Sequence, residues 1–196
     1  MNLNNTVKIT GHVLITDFDT GEILLDRKNS INFENFSISL ARCIANRPDS
    51  WIQEMVFGNG GASVSEIGTI TYLPPNVIGT SSQLYNETYY KVVDDQNPLN
   101  LDPTENFITI AHSLGSTFTD VIVTCTLELG EPANQQAFDN TTNIQSEYVF
   151  NELGLKAYSS NGPDTGLLLS HVIFSPIQKS LNRQIQVVYT IRIQTV

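Results

Sequence analysis

The amino-acid sequence predicts a mainly β chain, an antiparallel β-sandwich or barrel-like domain with one short helix at about residues 35–46 and long loops rich in glycine and proline. Three observations predict it. About eight or nine short runs rich in Val, Ile, Thr, Phe and Tyr recur between turn-forming residues, a spacing typical of sandwiches and barrels. The last run, Ile185 to Val196 (I-Q-V-V-Y-T-I-R-I-Q-T-V), puts Ile185, Val187, Tyr189, Ile191 and Ile193 on one face of an extended chain, with Gln186, Thr190, Arg192 and Gln194 on the other. Only one stretch carries clear helical spacing.

The elements follow in chain order. Val7 to Thr16 and Glu22 to Arg27 read as a hairpin, because Asp17-Phe18-Asp19-Thr20-Gly21 between them supplies turn chemistry and Gly21 takes positive φ without steric penalty. In F-E-N-F-S-I-S-L-A-R-C-I-A, Phe36, Leu40, Cys43 and Ile44 recur at helical spacing, with Asn35 as the expected N-cap and Pro48 setting the limit beyond which the helix does not run. Trp51 to Phe57 is a strand that stops at Gly58-Asn59-Gly60-Gly61. Residues 58–83 show no sustained periodicity and read as a long loop. Leu84 to Val93 is a strand, and Asp94 to Glu105, with Pro98 and Pro103, a second loop. Phe107 to Ala111 and Phe118 to Leu129 are strands. A polar tract over residues 130–143 precedes the strand Glu147 to Tyr158. Leu167 to Phe174 is expected to end before Pro176, and antiparallel pairing of the terminal strand with it is the first expectation, through a Pro176 to Arg183 linker. Lys179 and Arg183 in that linker read as solvated. A terminal strand this apolar belongs inside a sheet, where its face is covered. The whole chain, residues 1–196, reads as a single β-rich domain.

Ten Lys and Arg stand against 20 Asp and Glu, a formal net charge of -10, yet only 15% of residues are charged. An acidic chain with no basic cluster is repelled by nucleic acid and by anionic lipid, so neither is an expected partner. No secretory signal and no apolar run of transmembrane length is visible. Cys43 and Cys125 fit no metal-ligand spacing and read as two buried small apolar residues rather than a disulfide. The sequons at Asn4, Asn35, Asn86 and Asn140 read as chance products of a chain rich in Asn and Thr.

Several stretches imitate chemistry. Ala111-His112-Ser113-Leu114-Gly115 resembles a nucleophile elbow, and Asp164 and His171 follow in the right order for a triad. Ala111 replaces the first glycine, however, and strand-like S-T-F-T-D-V-I-V follows where a helix is required, so a tight turn is the better reading. Asp19-Thr20-Gly21 is the aspartic-protease tripeptide in one copy, where the chemistry needs two, and a hairpin turn accounts for it. Asp17, Asp19 and Gly21 also echo the start of a calcium loop, but Lys28 stands where the bidentate acid belongs. Gly58-Asn59-Gly60-Gly61 lacks the Gly-Lys-Ser/Thr ending of a phosphate loop and reads as a sharp bend. His12, His112 and His171 are scattered. Tyr85, Tyr89 and Tyr90 serve either as a stacking platform for a sugar or as cross-strand packing, with Tyr85 and Tyr89 expected to share a strand face. No residue is assigned as catalytic, cofactor-binding or metal-binding, and no cofactor is expected.

The order of segments carries a resemblance. A hairpin with D-T-G-E-I-L-L is followed by K-N-S-I, the helix F-S-I-S-L-A-R-C-I-A, a strand running into F-G-N-G-G, then N-E-T-Y-Y-K-V-V, F-N-E-L-G-L and L-L-L-S-H-V-I-F-S-P-I-Q-K-S-L-N-R. This resembles virion structural proteins of tailed bacteriophages, particularly those of the neck, collar or tail and tail-fibre attachment domains. The resemblance implies a non-enzymatic subunit located in the virion and assembled in the host cytoplasm, with other virion structural proteins as partners and a homo-oligomeric state. Residues 58–82 and 94–105 are its expected contact segments. Alternatives are a capsid decoration protein, a carbohydrate-binding β-sandwich using the tyrosine strand, and, last, the hydrolase.

Overall fold

The computed structural model describes residues 6–133 and 147–195. The chain opens with the expected hairpin, β1 (Val7–Asp17) and β2 (Ile23–Ile31). Its turn is tied by Asp17, whose Oδ1 accepts hydrogen bonds from the backbone N–H and the hydroxyl of Thr20, both at 2.8 Å, while Gly21 sits at φ 72°. The helix, α1 (Phe33–Ile44), starts earlier than its spacing predicts. Asn32 is the N-cap, accepting from the Asn35 N–H, and Asn35 lies inside the first turn, fully buried, donating its amide to the Leu168 carbonyl at 2.9 Å. The chain leaves the helix at Ala45, before Pro48.

Beyond the helix come β3 (Ile52–Gly58), β4 (Ala62–Val64), β5 (Ile70–Tyr72), β6 (Glu87–Val92), β7 (Phe107–Ala111), β8 (Phe118–Leu127), β9 (Glu147–Ala157), β10 (Leu168–Ser180) and β11 (Ile185–Thr195). Nine strands form one antiparallel sheet in the order β6-β3-β9-β10-β2-β1-β11-β8-β7, and β4 and β5 form a separate small hairpin. That hairpin lies within the stretch the sequence gives as an aperiodic loop; its strands are too short to show a period.

The sheet is curled into a half-barrel. Phe57 on β3, Phe150 on β9, Val187 on β11 and Cys125 on β8 share one hydrophobic core although they lie far apart in strand order. Lys91 of β6, at one margin, donates to the Thr126 carbonyl of β8, next to the other margin, at 2.7 Å. Phe57 and Phe174 each meet the Phe150 ring edge-on, at 5.4 and 5.8 Å between centroids, and Tyr148 stacks on Phe150 at 5.5 Å. Such pairs add about 1 kcal/mol each beyond area burial.

The terminal strand lies within the sheet, but not where expected. β11 pairs with β1 over eleven positions, from Val7↔Thr195 to Asp17↔Ile185, and with β8 on its other side. β10 instead pairs with β9 and β2. The proline that reads as a terminator is carried inside β10, where a shift in register between Ile173 and Ile177 spares it a ladder hydrogen bond. The chain then turns at Ser180 and is fastened to the end of β1 by Arg183, whose Nε donates to Asp17 Oδ2 at 2.6 Å. That bond, with those from Thr20, holds the Asp17 carboxyl down at about 2. Arg183 is therefore paired rather than merely solvated. Lys179 is buried, its ammonium donating to the carbonyls of Glu128, Glu131 and Ser180 at 2.7 to 2.9 Å, and burial lowers its pKa to about 8.

Cys125 is buried as expected, but Cys43 is exposed. The face α1 buries carries Asn35, Phe36 and Ser39, and Ile44 projects outward. Most of the polar tract 130–143 and the sequons at Asn4 and Asn140 lie outside the described residues.

Candidate functional site

The residues that imitate a triad are kept apart. Ser113 lies in the turn joining β7 to β8, where the Ser116 N–H bonds the Ser113 carbonyl at 3.0 Å and Gly115 takes φ 84°. His171 is on β10, four positions away from β8 in the sheet, and Asp164 pairs with Lys156 in the turn before β10. Because Ser113 is exposed, Ser113→Ala is expected to change stability by less than about 0.5 kcal/mol and to abolish no ester hydrolysis. Urea titration and a chromogenic-ester assay check both. The tyrosine platform is absent as well. Tyr89 is 6% exposed in the core, whereas Tyr85 precedes β6, is 42% exposed and donates its hydroxyl to the Pro74 carbonyl at 2.8 Å. His12 pairs with Asp26 at 2.7 Å on the surface. Among the described residues, no group of three or more His, Cys, Asp and Glu side chains is arranged to hold a metal ion.

The structure does join several of the short motifs, at one buried carboxylate. Phe57-Gly58-Asn59-Gly60-Gly61 ends β3, Asn151-Glu152-Leu153-Gly154-Leu155 runs along β9, and Gly58 pairs with Glu152. Glu152 is fully buried, and four donors surround it. Its Oε1 accepts from the backbone N–H of Gly60 at 2.9 Å and of Asn86 at 2.8 Å; its Oε2 accepts from the Tyr85 N–H at 2.9 Å and from His171 Nε2 at 3.0 Å. The other ring nitrogen of His171 accepts from the Asn76 N–H at 2.9 Å, so Nε2 carries the ring proton. Burial pushes the Glu152 carboxyl up, but the His171 bond and the three backbone donors outweigh it and hold the group below the usual range. Next to it, Asn151 Oδ1 accepts from the Gly61 N–H at 2.9 Å. The glycines are required by this crowding: a Cβ at Gly58 would lie 2.4 Å from the Asn86 carbonyl oxygen, and one at Gly60 2.6 Å from the Asn86 nitrogen.

The node therefore fastens the Gly-rich bend, the segment around Asn76 and the approach to β6 onto β9 and β10. It binds backbone, not a ligand. Sequence reasoning overlooked Glu152, although an acid inside the apolar run Y-V-F-N-E-L-G-L is itself a signal that a buried charge has partners.

Two surface grooves lie among the described residues. A groove of 790 Å³ runs between α1 and the β7–β8–β11 margin, walled by Leu40, Trp51, Pro98, Ile108, Ile110 and Tyr158, with Asp94 and Asp95 at its rim. A smaller one of 530 Å³ lies where Val77, Ile78 and Phe33 approach β1 and β2. Among the described residues, strand β7 has a strand neighbour on one side only. Ile108 donates its N–H away from β8, to Asp95 Oδ1 at 3.3 Å, so by alternation the Ile110 N–H also points outward. Ile110 is 75% exposed, and although Asp95 caps the margin at Ile108, the strand itself contains no charge and no proline.

In comparisons with known proteins, the chain matches no family model, no curated protein and no solved structure. No helix among the described residues is long and apolar enough to cross a membrane.

Proposed function

We propose that this chain is a non-enzymatic structural subunit of a tailed-phage virion, a homo-oligomeric accessory component of the neck, collar or tail. The observation that carries the assembly role is the part of the β7 margin beyond Ile108, where Ile110 stands exposed, beside an apolar groove. Buried charges such as Glu152 and Lys179 are engaged in holding backbone, whereas apolar side chains such as Ile110 face outward. The virion assignment itself rests on the order of short motifs, several of which meet at Glu152.

The partner at the β7 margin is a second copy of the chain. An added strand satisfies the outward N–H of Ile110, and Ile110 becomes buried, a gain of about 2 kcal/mol. Ile110→Lys is expected to weaken self-association by at least about tenfold while leaving the monomer folded, as read by sedimentation velocity over a concentration series. Wild-type protein that stays monomeric throughout that series contradicts the homo-oligomer.

A further inference from the structure

A second set of buried charges lies at the β3–β9 side of the sheet, and its charge does not balance. Lys156 on β9 is 2% exposed, and its ammonium bonds Glu87 Oε2 on β6 at 2.7 Å, the Asp164 carboxylate, and the Asp164 carbonyl at 3.1 Å. Glu54 on β3, 1% exposed, accepts the Asp164 N–H at 2.9 Å and the Gln53 side-chain amide at 3.3 Å. Tyr90 is the remaining titratable neighbour; burial raises its pKa, and the charges of Glu54 and Asp164 raise it further. One ammonium faces three carboxyl groups, and two uncompensated negative charges are unfavourable where Glu54 and Glu87 are largely shut off from water, while Asp164 stays partly exposed.

We propose that Glu54, Glu87, Asp164 and Lys156 form a proton-dependent latch that holds the turn 159–166 against β3, β6 and β9 when protons occupy Glu54 and Glu87, and frees the turn when they leave. Asp164 is the movable half of the latch. It stands at φ 64°, in the turn between β9 and β10, and is the most exposed side chain of the ion pairs to Lys156. Burial raises Glu54 to about 7 and Glu87 to about 8, whereas Asp164, opposed by its own burial, is kept ionised by Glu87 and Lys156. Both raised groups are acids, so the sign is fixed. Their contribution is complete below the unfolded carboxyl range near 4.5 and is lost as pH rises through about 7 to 8.

The latch reaches the groove through a short path. Tyr158 immediately precedes the turn, bonds the Trp51 carbonyl through its N–H at 2.7 Å and stacks on the Trp51 ring at 4.5 Å; both rings wall the groove. Ser160, in the turn, bonds Asp49 Oδ1 through its N–H at 2.7 Å. A freed turn therefore loosens the wall where Trp51 stands, and Trp51 is the single tryptophan of the chain.

The test uses the wild-type chain and Glu54→Gln/Glu87→Gln, in which neutral amides stand in for the protonated acids. Trp51 emission and hydrogen exchange in 159–166, corrected for the intrinsic pH dependence of exchange, are followed from pH 5.5 to 9.5. The expected result is a wild-type transition centred between about 7 and 8, with at least about tenfold faster exchange above it, and no transition in the double variant. A wild-type chain whose emission and exchange stay flat across the range overturns the latch, whether or not the variant folds. So does an equal transition in a folded variant.

Discussion

Deleting Tyr189 to Val196 is expected to abolish soluble folding. The deleted residues take Tyr189 and Ile191, both fully buried, out of the core and remove seven of the eleven registered pairs to β1 and six of the ten to β8, which leaves the two halves of the nine-stranded sheet joined through only four residues of β11. Truncating a single large core side chain costs about 3 to 5 kcal/mol, and a domain has only about 5 to 15 kcal/mol in total. The outcome is read from the soluble fraction and far-UV circular dichroism. A truncated chain that stays soluble and folded shows that β11 is dispensable to its own subunit.

Glu152→Ala is expected to destabilise the chain by about 4 kcal/mol, the range seen when one partner of a buried charged network is removed. The backbone N–H groups of Gly60, Tyr85 and Asn86 and the His171 Nε2–H then lose their acceptor together, inside a site that water does not reach. Glu152→Gln keeps one acceptor oxygen and costs less, about 2 kcal/mol. Urea titration separates the two variants, and hydrogen exchange places the loss in 58–62 and 84–87. Because the Glu152 carboxyl is held below its ordinary range, its contribution is present above the unfolded carboxyl range near 4.5 and fades as pH falls through the lowered value. This is the opposite direction to Glu54 and Glu87, so the combined contribution of these three carboxyls is greatest between the two windows.

The local part of the fold is legible in the sequence. The D-F-D-T-G turn, the helix ahead of Pro48 and the alternation of β11 each follow from residues a few positions apart, and each is present. What required the whole chain was partner choice. The apolar face of β11 fits any strand of matching length, and nothing near it in sequence distinguishes β10 from β1. Pro176 reads as a break because a bulge that tolerates proline leaves no mark in composition. Asn32 and Asn35 are chemically equal candidates for the cap, and tertiary contact decided between them by burying Asn35 against Leu168. Tyr85 and Tyr89 share parity, but the strand begins only at Glu87, so parity does not govern Tyr85.

The charged clusters were the least legible. Glu152, Glu54 and Lys156 each read as one polar residue in a strand, and each becomes a buried anchor only because β3 and β9 pair and bring the bend and the turn 159–166 over them. Cys43 reads as core because its spacing is helical; it stands exposed at the mouth of the groove.

The most direct test of the proposed virion role is quantitative mass spectrometry of purified virus particles from the source that encodes this chain, combined with a cryo-EM reconstruction of those particles. The predicted result is this chain in several copies per particle, related by the neck or tail symmetry, with β7 and the groove beside it covered by a neighbouring copy. Particles that lack the chain, or that hold it with this margin open to solvent, contradict the proposed role.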